Sequence, residues 1–247
     1  MAHSRTDLRT FIDIETTCYC SILPTTAPYS RNAFTGLFPG EIAARFPDWW
    51  HKREDETINA HERDLLGAQV VELGVQLPVR YEKVSTSAEG DDLERRVARV
   101  IAPQGISAFV CNFADLLTHS RSESAILYEV ACDEVRVIVT SDHGSIHCRT
   151  PAAVFGKQNA TQNLRYKFGE DLRADNSEQS VLFINEYSLK PPRGAVRAIT
   201  LLATSDSIFL HPTRLREYQS RYRGSFLHGG VTPEECIVPV ALLTPKR

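Results

Sequence analysis

The chain has 247 residues, 42% apolar and 24% charged, with a formal net charge of -3. Those ordinary globular values exclude a wholly disordered, collagenous or coiled-coil chain. The slightly acidic balance excludes sequence-independent duplex binding by counterion release as the main task. No run approaches the roughly 20 apolar residues of a membrane helix, and Met1-Ala2-His3-Ser4-Arg5 lacks the apolar stretch of a signal peptide, so a cytoplasmic chain is expected.

The predicted elements alternate. Cys18 to Leu23 reads as a short strand ended by Pro24, and Tyr29 to Leu37 as a helix stopped by Gly36 and Pro39. Leu65, Leu66, Val70 and Leu73 predict a helix over 59–73, and Leu93, Val97 and Val100 predict another over 92–101. Ile106 to Val110 is an apolar run predicted as a buried strand, followed by a helical 115–129. Val135 to Thr140 is the clearest strand; Ala198 to Ala203 and Cys236 to Leu243 supply two more. Loops are expected over 85–91, 151–163 and 175–194, with Pro191-Pro192-Arg193-Gly194 as the best linker. This alternation predicts an α/β sandwich with a mostly parallel sheet. The composition does not shift enough to divide the chain, so one domain over 1–247 is expected.

Six cysteines are too sparse for a disulfide scaffold, and no C-x-x-C pair is present for a zinc ribbon. The cysteines are expected to be buried and reduced. Cys18 and Cys20 share one face of a strand, which leaves a redox or metal role for that pair as the alternative.

Four stretches carry chemistry. Thr140-Ser141-Asp142-His143-Gly144 follows a strand, where α/β sheets place ligands, and Asp142 and His143 are both metal-ligand types. The plain alternative is a polar turn. Asp115 and His119 have i, i+4 spacing, which puts carboxylate and imidazole on one helical face; an exposed surface pair is the alternative. His228 precedes Gly229 and Gly230, which implies close backbone approach, and Thr232-Pro233-Glu234-Glu235 resembles a capping box. The hydroxyls of Thr25 and Thr26 stand just before a predicted helix, a setting for an anion or for an alkoxide nucleophile, or simply for an N-cap. Asp/His sets from several strand ends suit a two-zinc phosphoryl-transfer site.

The residues resemble a PglZ domain of the alkaline phosphatase superfamily, most of all the PglZ domain of PorX-type response regulators. The resemblance runs from about Thr17 to Lys246. It rests on Leu-Pro-Thr-Thr-Ala-Pro-Tyr-Ser-Arg-Asn-Ala (23–33), Asn-Phe-Ala-Asp-Leu-Leu-Thr-His (112–119), Thr-Ser-Asp-His-Gly (140–144), Asn-Leu-Arg-Tyr-Lys (163–167) and Phe-Leu-His-Gly-Gly-Val-Thr-Pro-Glu-Glu (226–235). It implies a three-layer sandwich with a mostly parallel central sheet and two zinc ions. Asp142 and His143 match ligands of one zinc; Asp115, His119 and His228 match ligands of the other. The family's nucleophilic threonine falls within 25–27. The usual order is Pro-Thr-Ala-Thr-Pro-Tyr, so letter-for-letter alignment lands on Ala27, whereas the superfamily spacing of ten residues back from Gly36 lands on Thr26. The first-strand aspartate and following helix of the family have no room before Thr26, and a helical stretch near Ser124 is absent. The fold is therefore expected to lack its first strand, and one zinc site to be incomplete.

The resemblance implies a zinc-dependent phosphohydrolase, a phosphodiesterase for nucleotide-like or oligonucleotide substrates, with Thr26 as nucleophile. Asn32 and Arg31 are candidates for holding phosphate oxygens, and Arg165 and Lys167 for meeting the charged substrate from a basic loop. A solvated helix face and a plain surface loop are the respective alternatives. The rival reading is a non-catalytic module that serves signalling or phage defence through protein partners.

Overall fold

The computed structural model describes residues 11–32, 36–50, 60–84, 101, 104–111, 135–156, 163–174, 180–183, 198–211 and 222–246. It is a mixed α/β structure that divides into two compact units. One comprises Met1–Thr17, Leu66–Thr140 and Val240–Arg247; the other comprises Cys18–Leu65 and Ser141–Pro239. The predicted helices over 92–101 and 115–129, with Asp115 and His119, lie outside the described residues, as does the linker 191–194.

The first unit is built from strands. β1 (Ile12–Cys20) begins well before Cys18, and β13 (Ile237–Pro245) stands between it and β4 (Val137–Thr140) in one sheet. β4 and β13 are antiparallel, from Val240 opposite Thr140 to Leu243 opposite Val137. β2 (Val79–Val84) and β3 (Ile106–Cys111) form a separate parallel pair, in register from Val79–Ile106 to Val84–Cys111. Only Ile12 of β1 is buried.

The second unit holds most of the described core. β7 (Tyr166–Glu170), β10 (Ala198–Ala203) and β9 (Ser180–Phe183) make an antiparallel sheet with β10 central. β11 (Ser207–Leu210) runs parallel to β6 (Thr150–Phe155), which carries antiparallel β8 (Arg173–Ala174) on its other edge. β5 (Ile146–His147) and β12 (Phe226–Leu227) pair antiparallel. All four residues of β11 are buried. Successive side chains of a strand point to opposite faces. Phe209 accordingly packs with Ala152, Val154, Leu172, Leu201 and Ala203, while Ile208 and Leu210 pack with Cys148.

Helices are short here. α1 (Ala27–Ser30) and α2 (Pro39–Arg45) each start with Pro at the first turn, where a missing N–H costs nothing. α3 (Glu62–Glu72) contributes Leu65 to a cluster with Ile42 and Trp50, against which Tyr29 and Trp49 pack. α4 (Pro233–Cys236) is a single turn.

Several expectations are corrected. The sheet is not mostly parallel: the described strands fall into small sheets whose pairs are largely antiparallel. The expected loop over 151–163 contains most of β6, and that over 175–194 contains β9. Pro151 sits at the start of β6, a place a strand tolerates, so it is a poor loop signal here. The helix expected over 29–37 is shorter than expected: α1 ends at Ser30, and Gly36 and Leu37 are not helical, while 33–35 lie outside the described residues. The cysteines are not uniformly core: Cys148 is buried, Cys111 and Cys236 are half-buried, and Cys18 and Cys20 are exposed. Those two do lie on one strand, as the C-x-C spacing predicts.

Truncating Phe209 tests the core. It is fully buried between β6 and β10 residues, so Phe209→Ala should cost about 3–5 kcal/mol, read as a lowered urea midpoint.

Candidate active site

The site is assembled inside the second unit from three segments: 21–32, 141–144 and 226–236. A buried ion pair joins the last of these to β7. Arg165 and Glu235 are both fully buried, with Nη2 to Oε2 at 2.6 Å and Nε to Oε1 at 3.1 Å. The third guanidinium nitrogen, Nη1, donates to the Ser207 carbonyl. Glu235 accepts three further bonds: from the Gly230 N–H at 2.8 Å, the Thr232 N–H at 3.2 Å and the Thr232 hydroxyl at 2.8 Å. The capping box read from the sequence is present at the start of α4: Glu235 reaches back to the Thr232 N–H, and the Thr232 hydroxyl also donates to that carboxylate.

Two glycines are dictated by this packing, Gly230 by the pair itself and Gly144 by the backbone of α4. A Cβ on Gly230 would stand 2.6 Å from the Ala203 carbonyl oxygen and from Arg165 Nη2. A Cβ on Gly144 would collide with the Glu234 carbonyl oxygen, and the Gly144 N–H donates to the Glu235 carbonyl at 2.9 Å. The Asp142-His143-Gly144 turn is thereby pressed onto α4, and His143 meets His228. Their ring centroids are 4.0 Å apart at 20°.

Both imidazoles turn Nδ1 towards a backbone carbonyl: His143 to Gly144 at 2.9 Å and His228 to Thr25 at 3.0 Å. A donating Nδ1–H selects the tautomer whose Nε2 carries a lone pair, the usual arrangement of a metal-ligating histidine. The His228 pKa is lowered, first by burial and next by the neighbouring His143, so its neutral form is favoured.

The Thr25-Thr26 pair is resolved by hydrogen bonding. The Thr25 hydroxyl donates to the Gly230 carbonyl at 3.0 Å and accepts from the Gly229 N–H at 2.9 Å, tying this segment to the His228 loop. The Thr26 hydroxyl is also buried, yet among the described residues its oxygen has no hydrogen-bond partner. Such an orphan costs about 1–3 kcal/mol. Thr26 is the N-cap of α1 by its extended backbone, but its side chain makes no cap bond.

Arg31 brings the acidic groups together. Its Nε lies 3.4 Å from Asp142 Oδ2 and 3.2 Å from Glu62 Oε1. Asp142 Oδ2 is also 3.6 Å from His143 Nε2. Two ligands of one tetrahedral ion, with bonds of about 2.0–2.2 Å, stand about 3.3–3.6 Å apart. Asp142 and His143 therefore suit a shared zinc-type ion in chemistry and in spacing. Among the described residues, however, no three His, Cys, Asp or Glu side chains form a set that would hold an ion.

Of the remaining expected residues, Asn32 is buried and donates Nδ2 to the Pro28 carbonyl at 2.7 Å, a local bond within its own turn. Arg165 is not on a solvated basic loop. Its charge is spent on Glu235, because a guanidinium so deeply buried needs a carboxylate and carbonyl acceptors. Lys167 is half-buried on β7 opposite Leu201 of β10. Glu62 was missed by sequence reasoning, since a glutamate in the first turn of a helix reads as ordinary helix chemistry. Glu235 was read only as a capping residue.

Two outcomes test this frame. Glu235→Gln leaves the Arg165 charge buried without its partner and should cost about 3–5 kcal/mol; Arg165→Met with Glu235→Leu should cost less than the sum of the single changes in a urea double-mutant cycle. Cys236 supplies a pH test, because its thiol is pushed up to about 11 from 9.0, first by burial and then by the Glu235 charge. The unfolded thiol loses its proton first, so this contribution to stability is complete below pH 9 and lost as pH rises towards 11. Cys236→Ala should flatten that alkaline loss. At pH 8, alkylation should label the exposed Cys18 and Cys20 before Cys236.

Comparison with known proteins agrees with part of this picture. The family model described as "BREX system PglZ alkaline phosphatase-like domain" matches residues 131–243, a stretch that contains Asp142, His143, Arg165, Lys167 and His228. That description is of a BREX-system domain and not of a response regulator. No curated protein matches the chain. Among solved structures, phosphonoacetate hydrolase from Sinorhizobium meliloti 1021 in complex with phosphonoformate matches at 14% identity and a TM-score of 0.41. The match covers 70% of this chain and 54% of that one, so the chain spans about half the length of this solved relative. The PglZ alkaline phosphatase-like match thus falls on the 131–243 stretch that carries the paired Asp142-His143 and the Gly-flanked His228.

Proposed function

We propose that the chain is a metal-dependent phosphohydrolase, a phosphodiesterase acting on nucleotide-like substrates, with Thr26 as the nucleophile. The observation that carries this reading is the buried Thr26 hydroxyl without a hydrogen-bond partner. Its neighbour Thr25 binds the His228 loop, and Arg31 on the following turn reaches Asp142. A buried hydroxyl left without a hydrogen-bond partner among the described residues, next to a residue bonded to the His228 loop, supports a reactive role over a stabilising one.

Asp142 and His143 would hold one zinc ion, and His228 would serve a second. Asp115 and His119 enter the proposal from the resemblance alone. When bound, such ions supply a Lewis acid that favours the alkoxide and screens phosphoryl charge. The chain's own residues do the rest. Thr26 Oγ1 attacks phosphorus, the P–O bond to the leaving alcohol breaks, and the threonine proton ends on that alcohol. The phosphothreonine is then attacked by water, which restores the hydroxyl and releases the phosphoryl product. Arg31 would hold phosphoryl oxygens. Asn32 braces the turn that carries Thr26, and Lys167 adds positive charge on β7. Arg165, assigned to substrate by the sequence pattern, serves instead to hold the His228 loop in register.

A second reading has an observation of its own. Among the described residues no three side chains form a metal-holding set, which suits a PglZ module acting through protein partners in phage defence. Metal content separates the two: two zinc ions per chain favour the enzyme, one or none the module.

Thr26→Ala should lower hydrolysis of bis(p-nitrophenyl) phosphate at least about 1000-fold while leaving metal content unchanged. Asp142→Ala should lose activity together with one metal ion. Wild-type turnover in Thr26→Ala would overturn the nucleophile assignment, and an inert, zinc-supplied wild type would leave the module reading in front.

A further inference from the structure

Glu62 has no part in the site as the sequence presents it. Its side chain is only 4% exposed, in the first turn of α3. Burying a carboxylate costs several kcal/mol unless a charge and hydrogen-bond donors answer it. Here the answer is the charge: Arg31 Nε lies 3.2 Å from Glu62 Oε1 and 3.4 Å from Asp142 Oδ2, ion-pair contacts in which neither Nε nor Oε1 completes a hydrogen bond among the described residues.

The fold makes this encounter rigid. Leu65, one turn further along α3, is locked between Ile42 and Trp50. Trp50 packs edge-on against Tyr29 of α1, ring centroids 5.8 Å apart, and Tyr29 packs in the same way against Tyr166 of β7 at 6.2 Å. The start of α3 is thus clamped to the segment bearing Thr26 and Arg31. Arginine has several rotatable bonds, and an unrestrained guanidinium beside a site would lose that freedom each time it bound an anion. A buried carboxylate on Nε removes the freedom in advance.

We propose that Glu62 is a positioning residue: its buried carboxylate fixes the Arg31 guanidinium beside Asp142, and through Arg31 it sets how tightly the phosphoryl group is held. This rests on the phosphohydrolase reading and adds a residue to it. Glu62 does not touch substrate. It acts on ground-state binding, because a guanidinium held in place contributes equally before and during the chemical step. Loss of such uniform binding raises KM and leaves kcat nearly unchanged.

The test uses the zinc-loaded full chain, bis(p-nitrophenyl) phosphate as substrate and inorganic phosphate as the competing anion. Glu62→Gln should raise KM and the phosphate inhibition constant about tenfold, with kcat within about threefold of wild type. Arg31→Ala should weaken phosphate at least as much. In the Arg31→Ala background, Glu62→Gln should then change phosphate affinity less than about twofold, because the only route of its action is gone. Glu62→Asp should fall between wild type and Glu62→Gln, and it carries the test if Glu62→Gln does not fold. A merely structural Glu62 would lower the melting temperature while leaving KM and phosphate affinity at wild-type values, or would act equally with and without Arg31; either result overturns the proposal. An inert wild type that also ignores phosphate overturns the phosphohydrolase reading and this inference with it. An active wild type with an unmoved KM in Glu62→Gln overturns the inference alone.

Discussion

The buried pair of Arg165 and Glu235 is the constraint from which the rest of the site follows. Two full charges have been taken out of water and must be answered completely. Glu235 does so by accepting from Arg165, Gly230 and Thr232, and Arg165 by adding the Ser207 carbonyl. The groups involved come from the residue before β7, from β11, from the His228 loop up to Thr232 and from α4, so one electrostatic requirement fixes four pieces of chain. A buried pair of this kind adds little net stability, but removing one partner is costly. Its value here is geometric: the bonds that satisfy both charges tie these segments to one another.

Position then passes outward by hydrogen bonds. Gly229 and Gly230 bring the loop to Thr25, whose hydroxyl is consumed in holding it. Gly144 lets the Asp142-His143 turn sit on α4, so the two imidazoles stack. Both rings commit Nδ1 to a backbone carbonyl and keep Nε2 for something else. The Thr26 hydroxyl, by contrast, is left buried and unanswered at the centre of these attachments. Two threonines side by side thus differ in that the hydroxyl of one is spent on the His228 loop and the hydroxyl of the other is not.

The sheet architecture shows where local pattern loses to tertiary context. β11 reads as four residues without alternation, yet both its faces are buried: Phe209 in one cluster, Ile208 and Leu210 in another. β6 was hidden by Pro151 and the alanines that follow it, and the expected loops over 151–163 and 175–194 each contain a strand, β6 and β9, that a partner strand completes. β3, β4, β10 and β13 were legible because β-branched and apolar residues run together in them. Strand direction was not, because pairing is chosen by segments far apart in sequence.

By itself the sequence determined the chemical inventory: Thr-Thr before Pro28, Asp142 beside His143, a Gly-flanked His228 and a glutamate three residues after Thr232. Residue type and short spacing decide what a segment is able to bind, and both are local. Only the tertiary structure decided which member of each set is spent and which is spared. Thr25 and Thr26 are indistinguishable by spacing, but Gly229 and Gly230 claim the first. Arg165 and Arg31 are both cations beside turns of the candidate motifs, but Arg165 is withdrawn into the core by Glu235 while Arg31 lies within ion-pair distance of Glu62 and Asp142. The physical reason is the same in each case: hydrogen bonds and burial are settled by residues up to about two hundred positions away, 205 between Thr25 and Gly230, and no local pattern records them.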